Sequence, residues 1–368
     1  VRGHSNVQGD RTMGIWERAP ESFLAALDGR FGISSPRKHG YDTVEAIRAM
    51  RDGRASVFIG MGGNFASATP DTEVTEAALR NCALTVQIST KLNRSHLVHG
   101  RTAVILPTLG RTDRDIYNGT KQVVSVEDSM SMVHLSRGSL SPPSDQVRSE
   151  VSIVCQLARA VLGPDHPVPW DSYAGDYDAV RDAIAAVVPG FADYNRRVRE
   201  PDGFQLPHPP RDSREFHTST GKANFAVNPL QWVPVPAGRL ILQTLRSHDQ
   251  YNTTIYGLDD RYRGIHGGRL VVMVHPDDIA RLGLAADQLV DLVSDLDGVE
   301  RRVRGFRVVP YPTPPGCVAA YYPETNPLVP LAHRSPEAGT PASKAVPVRL
   351  QPTSANSSSS AARVDSTE

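Results

Sequence analysis

Hydrophobic positions in the first third of the chain alternate between two periods. Val44, Ile47 and Met50 recur at helical spacing after Asp42 or Thr43, either of which can cap a helix, and the pattern stops near Gly53. A short apolar run from Ser56 to Gly60 then predicts a strand, and "GMGGN" (Gly60 to Asn64) predicts a glycine turn. In the following "TPDTEVTEAALRNC", Thr69 is the expected N-cap and Pro70 the first helical residue, with Asp71 and Glu73 at the positive end of the helix dipole. The pattern repeats as a strand at Leu84 to Ile88, a polar turn "STKLNRSH" and a strand at Ala103 to Leu106. Such alternation predicts an α/β domain built on a parallel sheet covered by helices.

Farther along, Val147 to Leu162 reads as one amphipathic helix closed by "GPDHPVPW". Residues 164–237 are proline-rich and irregular, with one short helix near Ala179 to Val188, and read as a connector. From Arg239 onward, β-branched alternation surrounds a short helix at Pro276 to Leu282, the pattern of a β-barrel. The tail 351–368, "QPTSANSSSSAARVDSTE", has almost nothing to bury and is expected to be disordered. The chain is therefore divided into an opening loop (1–13), an α/β domain (14–163), the connector, a barrel domain (238–350) and the tail.

Composition narrows the function classes. With 368 residues, 39% of them hydrophobic, the chain can bury a sizeable core, and 40 basic residues against 40 acidic ones leave a formal net charge of +0. That balance disfavours nonspecific binding to nucleic acid or an anionic membrane, and leaves local anion sites open. Cys82, Cys155 and Cys317 are far apart and form no CxxC motif, which points to a cytoplasmic chain rather than a disulfide framework. No apolar run reaches the length of a membrane span.

Several stretches suggest chemistry. The Gly60 to Asn64 turn leaves a strand just ahead of a helix N-terminus, where α/β sheets bind phosphate, although Phe65 occupies the third glycine position of a GxGxxG fingerprint. The second polar turn, Ser89 to His96, would share its crevice. "TSTGKAN" (Thr218 to Asn224) fails as a P-loop because Phe216 and Ala223 stand where a glycine and a hydroxyl are needed. His96 and His99 have no further metal ligand at useful spacing, and Asp277 with Asp278 suit the start of a helix. "LRSHDQYNTTIYG" (Leu245 to Gly257) packs Arg246, Ser247, Gln250, Tyr251 and Asn252 into one strand exit, either to hold something polar or to build a β-turn over Asp249 to Asn252.

The order of these pieces, from "RGHSNVQG" through the glycine turn with "PDT", "VQIST", "AVILPTLGRTDRD", "TSTGKANF", "LRSHDQYNT", "VMVHPDDIARLGLAADQLVDLVSD" and "PGCVAAYYPETNPLVP" to "SKAVPVRL", resembles the molybdopterin-dependent oxidoreductases. Within them it is most similar to the formate dehydrogenase alpha-type proteins of the FdhF/YdeP subgroup, and it matches only their C-terminal part. The resemblance implies a Rossmann-like α/β domain and a double-psi-type barrel that together grip a molybdenum bis(molybdopterin guanine dinucleotide) cofactor. Asn6, Gly9, Asp10 and Arg11 would lie on the pterin side, in an internal loop exposed by truncation, since Val1 is not Met. Gly62, Gly63 and Asn64 would form the phosphate turn, and Gln87, Ser89 and Lys91 would lie near the guanosine. Arg246, Ser247, Gln250, Tyr251 and Asn252 would be the barrel's grip, with Asn326 and Lys344 as further candidates.

The resemblance also implies redox chemistry on formate or another small substrate, an electron-transfer partner, and an iron-sulfur cluster and metal ligand held in an N-terminal region. None of the three cysteines falls where a metal ligand belongs, and Gln250 stands where many relatives carry His. The competing expectations are a stand-alone nucleotide- or cofactor-binding module and an ordinary nucleotide-dependent enzyme of doubly wound type. The missing GxGxxG disfavours the last.

Overall fold

The computed structural model describes residues 5–16, 18–229, 234–253, 255–336 and 339–354. They gather into two compact units, Val1–Gly40 with Pro107–Pro229, and Tyr41–Leu106 with Leu230–Glu368. These boundaries cut across those read from the sequence, because residues 41–106 join the barrel instead of the helices that follow them.

In the second unit, the carboxylate of Asp42 accepts the N–H of Glu45 at 2.8 Å and starts the helix Thr43–Arg51, which buries Val44, Ile47 and Met50. Strands β1 (Val57–Met61) and β2 (Leu84–Ser89) pair in parallel with Val57 opposite Leu84, and β3 (Thr102–Pro107) flanks β2. The helix Thr72–Arg80 shares a core with the first helix, in which Ile47, Ala78, Leu79 and Cys82 pack with Phe58 of β1. The helix starts later than its sequence suggests. Thr69 closes the short helix Phe65–Ala68, donating from Oγ1 to the Phe65 carbonyl at 2.8 Å, and Asp71 is the N-cap residue in a left-handed conformation, φ 50°. The face away from the helices is open along β1, where Val57, Ile59 and Met61 are 52%, 47% and 44% exposed, and is closed at Ile88 of β2.

The first unit departs most from expectation. The stretch read as a cofactor loop is the helix Ser5–Thr12, whose Gln8 donates from Nε2 to Glu127 Oε1 at 2.6 Å and to the Asp128 carbonyl at 2.9 Å. A hairpin of β4 (Asp115–Tyr117) and β5 (Thr120–Gln122) turns through Asn118 and Gly119, both at positive φ. Strands β6 (Val124–Glu127), β7 (Met132–Ser136) and β8 (Phe204–Gln205) form an antiparallel sheet. The expected connector supplies much of this unit: the helices Tyr177–Val187 and Tyr194–Arg197 pack about a core of Phe191, Tyr194 and Phe204 against Val133, and the helix Trp170–Gly175 packs Tyr173 and Ala174 into a second core with Cys155 and Ala183. The helix expected from Val147 begins at Glu150, capped by Ser149.

The barrel returns to the second unit. Strands β9 (Leu240–Leu245), β10 (Val271–Val274), β11 (Leu289–Ser294), β12 (Arg301–Pro310), β13 (Cys317–Tyr321) and β14 (Val346–Pro352) close in the order β10-β12-β11-β14-β9-β13. Two of the pairings, β10 with β12 and β9 with β13, are parallel. Leu240, Leu242, Val272, Val274, Leu292, Phe306 and Val348 fill the interior, and the helix Pro276–Arg281 contributes Ile279. Strand β10 is buried on both faces, because Val271 and Met273 point outward into a second core with Ile265, Ala319 and Tyr321. Residues 355–368 of the expected tail lie outside the described residues.

Buried carboxylates tie the barrel to its loops. Asp260, 2% exposed, accepts hydrogen bonds from Arg263 Nη1 at 2.6 Å and the Tyr321 hydroxyl at 2.8 Å. Burial alone would raise its pKa, yet the bonds from Arg263 and Tyr321 outweigh it and hold the carboxyl below the usual range. Asp278 and Asp291 are lowered in the same way by bonds that outweigh burial. A depressed folded-state pKa stabilises the fold above the unfolded value of about 3.9 and loses that contribution as pH falls through the folded value. Urea midpoints measured from about pH 7 down to about pH 3 should therefore drop on the acid side, with Asp260→Asn less stable at neutral pH and less sensitive to acid. Parallel acid limbs for the two proteins would remove Asp260 from this account.

Candidate anion-binding site

Where β1 and β2 end, two polar turns lock together. Gly62 and Gly63 take φ values of 65° and 68°, a conformation that favours glycine, and a Cβ at either would meet nothing within 4 Å. Gly62 N–H donates to the Ile88 carbonyl at 2.8 Å, and Asn93 Nδ2 donates to the Gly63 carbonyl at 2.7 Å. Asn64 is buried and accepts from the Ser95 hydroxyl at 3.1 Å, while the same hydroxyl accepts the Ala66 N–H at 3.0 Å. Next to the turn, Gly60 makes room for a side chain of β2: a Cβ there would sit 2.8 Å from Gln87 Oε1. Gln87 is 7% exposed, and its Nε2 is buried with no hydrogen-bond partner among the described residues. Ser89 closes its own turn by donating to the Lys91 carbonyl at 2.8 Å, leaving Lys91 exposed.

The turn runs into the helix Phe65–Ala68, and from Phe65 to Pro70 the chain walls a cavity of about 650 Å³. The opposite wall is the end of the barrel: Thr244 and Leu245 at the end of β9 with Arg246 after it, Tyr322 and Asn326 after β13, and Pro341, Ser343 and Lys344 before β14. Asn326 Nδ2 donates to the Ser67 carbonyl at 2.7 Å and the Tyr322 hydroxyl to the Ala68 carbonyl at 3.3 Å, fixing the two walls to each other. Arg246 stands 6.0 Å from the Tyr322 ring centroid. Lys344 donates from Nζ to the Thr244 carbonyl, and burial together with the neighbouring Arg246 charge pushes its pKa below the usual lysine range. Among the described residues neither cation has an ion pair, and no carboxylate lines the cavity. Two cations, backbone groups and hydroxyls without a counter-charge form a site for an anion.

The remaining residues of the strand exit serve the barrel itself. Ser247 N–H donates to Gln250 Oε1 at 3.0 Å, and Gln250 Nε2 donates to the Asn252 and Tyr322 carbonyls at 2.7 and 2.8 Å. Both residues accept from buried Arg269, Ser247 through Oγ at 2.8 Å and Gln250 through Oε1 at 3.0 Å. Arg269 also pairs with Glu324 at 2.5 Å and lies over the rings of Tyr256 and Tyr321. Tyr251 is half exposed and bridges Ile255 through its backbone, and Asn252 takes a positive φ of 49°. Gly9, Asp10 and Arg11 belong to the first unit, where Gly9 and Asp10 line a mostly apolar cavity of about 290 Å³ and Arg11 lies over Trp16. Asn6 falls within the same helix, and its side chain lies outside the described residues.

The histidines of the second turn build local structure: His96 Nδ1 accepts the Asn93 N–H at 3.0 Å, and His99 Nδ1 lies 2.8 Å from the Gly100 carbonyl. Cys82 and Cys155 are buried thiols whose pKa burial pushes up, and no cluster of three metal-ligating side chains occurs among the described residues.

What sequence inspection missed is the pair that aligns the cavity walls. Asp71 and Arg301, 8% and 12% exposed, face each other in two bonds of 3.0 and 2.9 Å, and Asp71 Oδ2 also accepts the Leu331 N–H at 3.3 Å. The conspicuous "PDT" marks Asp71, but its partner is 230 residues away on β12.

A closed barrel whose end meets a strand-turn-helix at a cavity lined by two cations is an arrangement that can receive the phosphates of a cofactor or nucleotide. Residues 240–347 match the family described as molydopterin dinucleotide binding domain. The chain is 77% identical over 96% of its length to an uncharacterized oxidoreductase of Mycobacterium tuberculosis, and 43% identical over 96% to protein YdeP of Escherichia coli. It covers 46% and 47% of those proteins, so the chain spans about half the length of the curated relatives it matches. Among solved structures, acetylene hydratase from Pelobacter acetylenicus shares the fold with a TM-score of 0.58 at 12% identity, over 93% of this chain and 50% of that one.

Removing one partner of a buried ion pair leaves the other uncompensated, so Asp71→Ala should cost about 3–5 kcal/mol in urea unfolding. The double variant Asp71→Leu with Arg301→Met should recover most of that loss. Additive losses would show that the two residues do not act as a pair.

Proposed function

We propose that this chain is the cofactor-clamping C-terminal part of a molybdenum bis(molybdopterin guanine dinucleotide) oxidoreductase of the formate dehydrogenase type, working in the cytoplasm. The observation that carries the proposal is the cavity between the Phe65–Pro70 wall and the barrel end, which holds Arg246 and Lys344 with no carboxylate among its described lining residues. It opens on the barrel that matches a molydopterin dinucleotide binding domain.

The residues present fit such a group. A dinucleotide brings two phosphates, and the cavity offers a guanidinium, an ammonium and the hydroxyls of Thr43 and Ser343. The open backbone at Gly62 and Gly63 admits a phosphate close to the chain, and the orphaned Gln87 Nε2 supplies a donor for a polar edge of the base. Ser89 and Lys91 flank that edge. Arg246 and Lys344 hold the diphosphate, while Ser247 and Gln250 keep Arg246 in place through Arg269. Tyr251 and Asn252 shape the strand exit, and Asn6, Gly9, Asp10 and Arg11 are assigned to the pterin end.

When bound, the molybdenum centre supplies two-electron redox chemistry on formate or another small substrate. This chain binds the cofactor, fixes its orientation and surrounds its charge. The metal ligand, an iron-sulfur cluster and the contact with an electron-transfer partner are assigned to the portion of the relatives beyond these residues. In that scheme the α/β portion is Rossmann-like and the barrel of the double-psi type; its parallel β10/β12 and β9/β13 pairings support the latter.

Purified full-length protein should contain molybdenum and guanine nucleotide in comparable amounts, and elemental and nucleotide analysis finding neither would overturn the proposal. Arg246→Ala should lower both contents after gel filtration by about tenfold or more, the worth of one charge-assisted contact. Because only the protonated amine of Lys344 attracts phosphate, retention should weaken as pH rises through its lowered pKa. Lys344→Arg should remove that alkaline loss, and an unchanged pH profile would exclude Lys344 from the phosphate site.

A further inference from the structure

Within the first unit, β6 and the helix Tyr177–Val187 wall the mostly apolar cavity of about 290 Å³. Val133, Tyr177, Phe191 and Tyr194 form its buried wall, and Asp10 and Ile15 its exposed rim. Small-molecule sites are built this way, with apolar and aromatic walls and a few placed polar groups. One of those groups here is left incomplete. Ser125 Oγ and the Tyr194 hydroxyl lie 2.7 Å apart, and among the described residues each bonds to the other alone. Two hydroxyls carry two hydrogens, and the bond between them uses one. The second hydrogen is left without an acceptor on a pair whose Tyr194 is 4% exposed, and a buried donor in that state costs about 1–3 kcal/mol. The charged groups of the lining then decide what can enter. Arg181, itself buried, is already committed: Nε donates to Asn195 Oδ1 and Nη1 to the Val123 carbonyl, both at 2.7 Å, and the guanidinium pairs with Asp178. Glu127 and Asp10 add negative charge to the same lining, which repels an anion.

We propose that this cavity is a binding site for a small, neutral aromatic carbonyl compound, whose oxygen accepts the spare hydrogen of the Ser125–Tyr194 pair. The ring packs against Phe191 and Tyr177, where aromatic contacts add to the burial of apolar surface. At the liquid-water share of about 30 Å³, the cavity has room for about ten non-hydrogen atoms, the size of a single ring with a short substituent. A purely apolar guest would leave the hydroxyl hydrogen unpaired, and a carboxylate would meet Glu127 and Asp10 with no free cation among the described lining residues. The inference uses no part of the cofactor assignment. The two readings therefore fail separately.

The test titrates the full-length protein in a calorimeter with three probes of matched size: acetophenone, α-methylstyrene, which keeps the shape but lacks the oxygen, and benzoate, which adds the charge. Acetophenone should bind with a dissociation constant below about 1 mM. α-Methylstyrene should bind about three- to tenfold more weakly, the worth of one hydrogen bond, and benzoate about tenfold more weakly or worse. The double variant Ser125→Ala with Tyr194→Phe removes both hydroxyls and should bind acetophenone and α-methylstyrene alike, while either single variant keeps one donor and the preference. Should the double variant lose its circular dichroism spectrum, para-azidoacetophenone irradiated with the native protein should label peptides that contain Met13, Val180 or Phe191. No binding of acetophenone, equal affinity for the first two probes, benzoate as the tightest ligand, a preference that survives in the double variant, or photolabelling confined to other peptides would each overturn the proposal.

Discussion

The second unit is organised around one buried ion pair. Asp71 begins the helix Thr72–Arg80 but does not cap it, because its carboxylate is taken by the Arg301 guanidinium and the Leu331 N–H. That choice accounts for the left-handed backbone at Asp71: the side chain must turn away from its own helix to reach the barrel. Burying both charges gains little stability over an apolar pair, so its use here is geometric. A bidentate guanidinium–carboxylate contact accepts only a narrow range of positions, and it fixes the segment Phe65–Pro70, one residue upstream, opposite the end of β9.

The same economy of geometry explains which polar side chains remain available. The strand exit around Arg246 is rich in hydrogen-bonding groups, and ordering them costs entropy whether or not a ligand is present. Ser247 and Gln250 are ordered by bonding to each other, to Arg269 and to the Tyr322 carbonyl. Arg246 and Lys344, by contrast, are held at the rim, one near an aromatic face and the other on a backbone carbonyl, with their charges uncompensated. Satisfied supports beside two cations with no ion pair among the described residues are the arrangement that the proposed phosphate contact requires.

Local signals made much of this legible. Asp42 with Val44, Ile47 and Met50, the glycine turn and the helix at Pro276 all rest on periodicity and capping within a few residues, and the ordered string of motifs placed the family. The hairpin at Asn118–Gly119 carried a local signal too, an Asn-Gly turn between short strands, and was overlooked because its strands are only three residues long. The connector was misjudged for another reason: proline density suggested irregularity, while Phe191, Tyr194 and Phe204 supplied a core that pays for ordering it. The partners of Asp71 and Gln8 were out of reach, since nothing near either residue marks a contact 230 or 119 positions away.

The regrouping of residues 41–106 with the barrel follows from the same contacts. A strand-turn-helix unit can bind phosphate on its own, but a dinucleotide with two phosphates needs charge from more than one direction. The glycine turn and the barrel end that carries the two cations fall in one compact unit, although the turn itself does not line the cavity. The cost is a sheet left with helices on only one face, because the chain that follows β3 passes into the other unit.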